Sequence, residues 1–484
     1  MKLFERIVVI SFFILTSNVV AQQKNPPAAK PATPPPNAPA GAGAAKPSTP
    51  PKGNKHDLLM RANDLMESNR FEEALLMLAD AIKIDPNDPV IYYKQGLCYT
   101  NLGNFREAIA PLQKATSLKK EYVEAHELLA RVYQELKNIK GAIAELDLAF
   151  KYDDDPSNKL TYKLEILDIL FSANKFGLAK AHLYDAKTLP EGLGETFDVK
   201  FKEAQFLNFS GQYDKALKIL QEIIDEEISE SEDGTEQYFF EYGVSLHMLG
   251  RYKEAEQQFA KAARNEYKAK IRRYQPETYY EIALTYFNVL DYENSEKNLE
   301  IVYKMNPNFQ DASDLKLKLA SIKADQRATI KAIEEQIKKE KDPKILSQKY
   351  EDLAFYYFKA GDFQMAELNA DQCLKIREFD MKITFLKAMC EYKLKQPAQA
   401  TDLLVRASKN PKLTTEDKAR LNFVLGLLYE SAENYSEATK CFRQSAVGPF
   451  KSASIVKLET INRIRQGLGQ EDYDSEETSE ETNE

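Results

Sequence analysis

The chain has 484 residues, with 66 Lys and Arg against 75 Asp and Glu, four His and a formal net charge of −9. That balance excludes the strongly basic surface that nucleic-acid binding demands. Hydrophobic residues at 43% can build a core, while only 18 Gly argue against a sheet-rich fold of many tight turns and for an all-helical one.

Residues 1–21 open with Lys2 and Arg6, run through the apolar stretch Ile7–Leu15 and end in Val19-Val20-Ala21. This reads as a secretory signal peptide cleaved after Ala21, because its apolar core falls short of the ~20 residues of a spanning helix. No Cys follows the cleavage point, so no lipid anchor is expected, and no later segment is apolar enough to span a bilayer. The Ala21-Gln22-Gln23 junction resembles bacterial export signals, which implies a periplasmic or otherwise exported protein. Residues 22–54 hold ten of the 21 prolines, four Lys and no acid. Such a composition cannot pack a core and reads as a disordered Pro/Ala-rich linker. Residues 467–484 carry eight acids and no base, an acidic disordered tail.

Between these ends the chain repeats itself. Residues 55–88 carry Ala62, Leu65, Phe71, Ala74, Leu78, Ala81 and Pro86, and the next 34 residues carry Gly96, Tyr99, Phe105, Ala108, Leu112 and Ala115 at the same offsets. The pattern resembles the tetratricopeptide repeat (TPR): a small residue at position 8, large at 11, aromatic at 17, Ala at 20, large at 24 and small at 27. Units start at 55, 89, 123, 160, 197, 236, 276, 310, 347, 381 and 419. Eight match well. The unit at 160 is partial, with Leu167 at position 8, as is the unit at 381, with Pro397 at position 17. The unit at 310 is degenerate and reads as a charged helical hairpin.

The resemblance implies an all-α solenoid, a right-handed superhelix of antiparallel helix pairs that form one core by stacking. An N-terminal array at 55–307 and a C-terminal array at 347–466 are expected to flank the charged hairpin at 308–346. Phe450–Gln466, with Ile455, Leu458, Ile461 and Ile464 on one side, reads as a capping helix.

Catalytic signatures are missing from the sequence: there is no phosphate-binding loop, nucleophile elbow or zinc-protease motif. No catalytic, cofactor-binding or metal-binding residue is expected, and the chain does not read as an enzyme. The four His are far apart, and Asp153–Asn158 lacks the glycine and closing Glu of a calcium loop. The four cysteines read as buried free thiols, with a Cys373–Cys390 disulfide as the alternative.

In the family that the chain resembles, positions 2, 5, 9 and 12 of each first helix line the inner wall, where peptides bind. The candidate partner-binding residues there are Tyr93, Phe201, Phe240, Tyr280, Phe287, Phe358 and Phe423. An exposed apolar strip of this kind implies a partner; tight curling of long middle helices, burying the rings on one another, is the competing expectation. A family clamp for the terminal carboxylate of heat-shock chaperones is not expected in the first three units. Asn63 fits it, but Leu59, Lys94, Glu124 and Leu128 stand at its other positions. The reading is therefore a non-catalytic protein-interaction scaffold or adaptor of the bacterial envelope, binding protein or peptide segments. A carbohydrate- or cell-wall-binding module that stacks sugars on the same rings is the second reading.

Overall fold

The structure, a computed structural model, describes residues 53–467 apart from 191, 228–233 and 265. The expected leader, all but the end of the linker, the tail from 468 and the centre of the acidic loop at 226–236 lie outside the described residues.

Among the described residues there are 24 α-helices and no strand. The first six units are α1 (Lys55–Glu67) with α2 (Phe71–Ile84), α3 (Pro89–Asn101) with α4 (Phe105–Leu118), α5 (Val123–Glu135) with α6 (Ile139–Tyr152), α7 (Pro156–Ser172) with α8 (Phe176–Lys187), α9 (Phe197–Phe209) with α10 (Tyr213–Glu227), and α11 (Glu236–Met248) with α12 (Tyr252–Ala262). A short α13 (Tyr267–Ile271) precedes the unit of α14 (Pro276–Asn288) and α15 (Tyr292–Met305). Then come α16 (Ser313–Ile322) and α17 (Arg327–Ile337). The last three units are α18 (Pro343–Lys359) with α19 (Phe363–Ile376), α20 (Met381–Lys393) with α21 (Pro397–Ser408), and α22 (Thr415–Ser431) with α23 (Tyr435–Ser445), followed by α24 (Lys451–Gly467).

One backbone feature marks every hairpin. The residue at position 15 lies in the left-handed region in ten units: Asn69, Gly103, Lys137, Asn174, Gly211, Gly250, Leu290, Gly361, Lys395 and Glu433. A left-handed residue ends the first helix and turns the chain into the second. The partial units at 160 and 381 share this turn. Pro397 suits its place because it opens α21 at the first helical turn, where a missing N–H costs nothing. The unit at 310 lacks the turn, and the expected hairpin is not there. α16 packs on α15 and α17 packs on α18, so the two are separate short helices.

Position 8 is small because position 24 of the same unit fills the space beside it. A β-carbon at Gly96 would lie 2.4 Å from Leu112, one at Gly243 would lie 2.7 Å from the Phe259 ring, and one at Gly426 would lie 2.6 Å from Phe442. Where position 20 is Ser295, its hydroxyl donates to the Ala283 carbonyl at 2.8 Å inside the core. Helix starts are set by Asp-Pro steps at Asp88, Asp155 and Asp342, whose side chains accept backbone N–H groups while the proline begins the helix.

Stacking is continuous from α1 to α12 and again from α18 to α23. It is interrupted at 263–275, where α13 intervenes and α12 packs on α15 in place of α14. The face of α14 left free by that break carries Ile282, Tyr286 and Val289, and these residues join the hydrophobic core of the last three units. The C-terminal array thus folds back on the molecule.

Candidate functional site

The seven aromatic candidates do not form one exposed strip. Phe201, Phe358 and Phe423 are 4%, 4% and 0% exposed, so these three are core residues and cannot contact a partner. Phe201 meets Tyr238 edge-on at 4.7 Å. Phe358 packs between Phe363 at 5.3 Å and Tyr292 at 6.1 Å. Phe423 is enclosed by Tyr286, Phe442 and Phe450, all within 6 Å between ring centres. The other four are half-buried. Phe240 is covered by Tyr267 at 5.3 Å and Tyr274 at 6.2 Å, both from the inserted segment. Tyr280 rests on Phe309, Phe287 on Tyr292, and Tyr93 on Tyr122. Phe201 and Phe240 belong to one core cluster, Tyr280 and Phe287 to another, so the wall expected from three consecutive units is divided.

For Phe358 and Phe423 the cause is the fold-back. The inner wall of the C-terminal array receives the end of α14 and its turn, which brings Phe423 against Tyr286 and Lys393 Nζ to 3.8 Å from the Asp291 carboxylate. An aromatic wall here is a receptor for the chain itself. Sequence periodicity marks such faces as apolar but does not say what covers them.

The inner wall of the first array is different in kind. Going from α3 to α9, it presents Tyr93, then exposed Glu124, Glu127 and Arg131, then exposed Asp168 and Asp198. Polar links join successive first helices along it: Gln134 donates to Glu165 at 2.6 Å, Lys202 pairs with Asp168, and Asn208 donates to Glu241 at 2.8 Å. Burial raises the Glu165 and Glu241 carboxyls above their ordinary values, and burial raises the Tyr93 hydroxyl as well. Sequence reasoning passed over these residues because it searched the wall for rings; the charges at positions 2, 5 and 9 were the available signal.

The remaining chemistry is structural. All four cysteines are free and buried, so the Cys373–Cys390 bond is not formed; burial pushes the Cys98 thiol up to about 11 and Cys390 up to about 12. His247 is held by burial at about 4 and bonds Tyr279 Oη at 2.7 Å, bridging α11 to α14 across the interrupted stack. Among the described residues, no three His, Cys, Asp or Glu side chains converge as a metal site would require, and no helix is long and apolar enough to cross a membrane.

Sequence profiles agree with this geometry in three segments. Residues 207–269 and 419–446 match tetratricopeptide repeat profiles, and 67–149 match that of anaphase-promoting complex, cyclosome, subunit 3. The fold is a tetratricopeptide repeat solenoid. Among curated proteins, the chain is similar to cell division cycle protein 27 homolog A of Arabidopsis thaliana, 27% identical over 99 residues, covering 20% of this chain and 14% of that one. It is also similar to the Hsp70-Hsp90 organizing protein of Triticum aestivum, 20% identical over 128 residues, covering 26% and 22% of the two chains. The chain thus spans less than a quarter of the length of either relative. A solved tetratricopeptide repeat protein from Parabacteroides merdae aligns over 55% of this chain and 98% of its own at 15% identity, with a TM-score of 0.34.

Proposed function

We propose that the protein is an exported, non-catalytic scaffold that holds a partner segment along the inner wall of its first array, between α3 and α9. TPR proteins in general bind protein or peptide partners. The observation that carries the choice of surface is the contrast between the two walls: α14 fills the C-terminal one, whereas Glu124, Glu127, Arg131, Asp168 and Asp198 are exposed on the N-terminal one. With Asp168 paired to Lys202, Glu124, Glu127 and Asp198 stand against Arg131, a balance that favours a segment carrying Lys or Arg side chains, with the Tyr93 ring offering an apolar contact at one end. Export rests on the Lys2/Arg6 start, the short apolar run and Val19-Val20-Ala21. The glycan reading calls for exposed ring faces, and of its seven rings Phe201, Phe358 and Phe423 are buried while Tyr93, Phe240, Tyr280 and Phe287 are half-buried.

The test is to capture the partner from envelope extract with the full chain, identify the bound segment and titrate it. Glu124→Lys should weaken binding by roughly tenfold and flatten its dependence on salt, with the helical circular-dichroism signal unchanged. Equal affinity for the two proteins would refute the choice of wall. Intact-mass measurement of the native protein should give a chain that begins at Gln22; retention of Met1 would refute export.

A further inference from the structure

α24 faces two ways. Ala453 and Ile461 are buried in the C-terminal core, Leu458 packs against it, and the buried Ser454 hydroxyl is 2.8 Å from that of Ser445. This side caps the last unit. A second stripe recurs at helical spacing through Ser452, Glu459, Asn462, Arg463 and Gln466, polar but for Val456 between the first two.

That polar stripe meets the N-terminal part of the molecule at five places. Ser452 donates to Glu281 on α14 at 2.6 Å, and Glu459 pairs with Arg273 just before α14. Arg463 donates to Tyr213 Oη at 3.2 Å and lies 6.0 Å from the Phe209 ring, at the turn from α9 to α10. Asn462 and Gln466 both donate to the Asn174 carbonyl in the turn from α7 to α8. Gln466 Oε1 also accepts the Gly177 N–H at 2.8 Å. These partners are between 171 and 292 residues apart in sequence.

The seat is shaped for a helix backbone. A β-carbon at Gly177 would lie 2.9 Å from the Gln466 carbonyl oxygen and 3.2 Å from its Cβ, so the close approach depends on a glycine there. The contact is also separable. Arg273 and Glu459 keep 46% and 37% of their side-chain surface in water, and such pairs are individually weak and screened by salt. Parting α24 from α8 and from Arg273 would leave its apolar side on α23 and in the core it shares with α14.

We propose that α24 is a releasable latch. Closed, it ties the rim of the first array's inner wall, at the ends of α7 and α9, to the C-terminal array; released, it frees that wall to change curvature around a partner. The proposal rests on the reading of this wall as the partner surface. A partner that favours the released form shifts the latch by its differential affinity for the two forms.

Hydrogen exchange with mass spectrometry on the full chain, free of partner, tests it. Arg273→Glu, Glu459→Arg and Gly177→Val should each speed exchange by about tenfold in residues 174–180, where the Gly177 amide reports directly, and in 455–467. The Arg273→Glu/Glu459→Arg exchange should restore wild-type protection in both segments, and residues 55–152 should not change in any variant. Unchanged exchange in the single variants overturns the latch. So does failure of the charge swap to restore protection, and so does faster exchange spreading to 55–152, which would mean general unfolding. Because the exchange is read without a partner, the Glu124→Lys titration can fail while the latch stands, and the reverse.

Discussion

Glu391 is a carboxylate that the fold encloses at a cost that depends on pH. It lies on α20, only 5% exposed, and its Oε2 has no hydrogen-bond partner. Burial pushes its carboxyl up to about 7; Lys387, 3.9 Å away, opposes the shift, while Glu367 and Asp371 on α19 add to it and Arg406 on α21 opposes it. Lys387 is itself engaged with Asp371 at 2.6 Å, which limits its help. The folded-state value lies above the ordinary one, so the folded chain binds more protons between pH about 4.5 and about 7. Stability from this group is therefore complete below that window and is lost as pH rises through 7. The loss by pH 8 should be at most about 3 kcal/mol. Glu391→Gln should flatten that part of the pH dependence and be the more stable protein at pH 8, read from urea midpoints between pH 5 and 8. Parallel pH slopes for the two proteins would show that Glu391 is not enclosed in this way.

The elements were legible in proportion to how local their signals are. Gly96, Gly243 and Gly426 mark position 8 because they answer Leu112, Phe259 and Phe442 sixteen residues later, within one hairpin. Asp-Pro steps name helix starts for the same reason. Pro397 read as a defect at position 17, yet the first turn of α21 tolerates it, and Leu167 at position 8 is buried within its unit without loss of the hairpin. The charged stretch after α15 misled in the other direction. Its apolar residues are enough for two helices, Ile330 being buried, but no left-handed turn brings α16 and α17 together.

At the scale of the whole molecule, the candidate surface was the least legible part. The rings of Phe358 and Phe423 stand at inner-wall positions, and nothing nearby in sequence says that Tyr292 and Tyr286 will cover them. That covering accompanies the insertion at 263–275, which takes α14 out of the regular stack, and the departure from hairpin packing at α16 and α17. The central claim is that one inner wall is self-occupied and the other is open. Hydroxyl-radical footprinting of the full chain, alone and bound to its partner segment, tests it most directly. Phe358 and Phe423 should be unreactive in both states, while Tyr93 should react in the free chain and be protected together with residues 124–131 in the complex. Reactive Phe358 and Phe423 in the free chain, with protection on binding confined to residues 347–466, would contradict it.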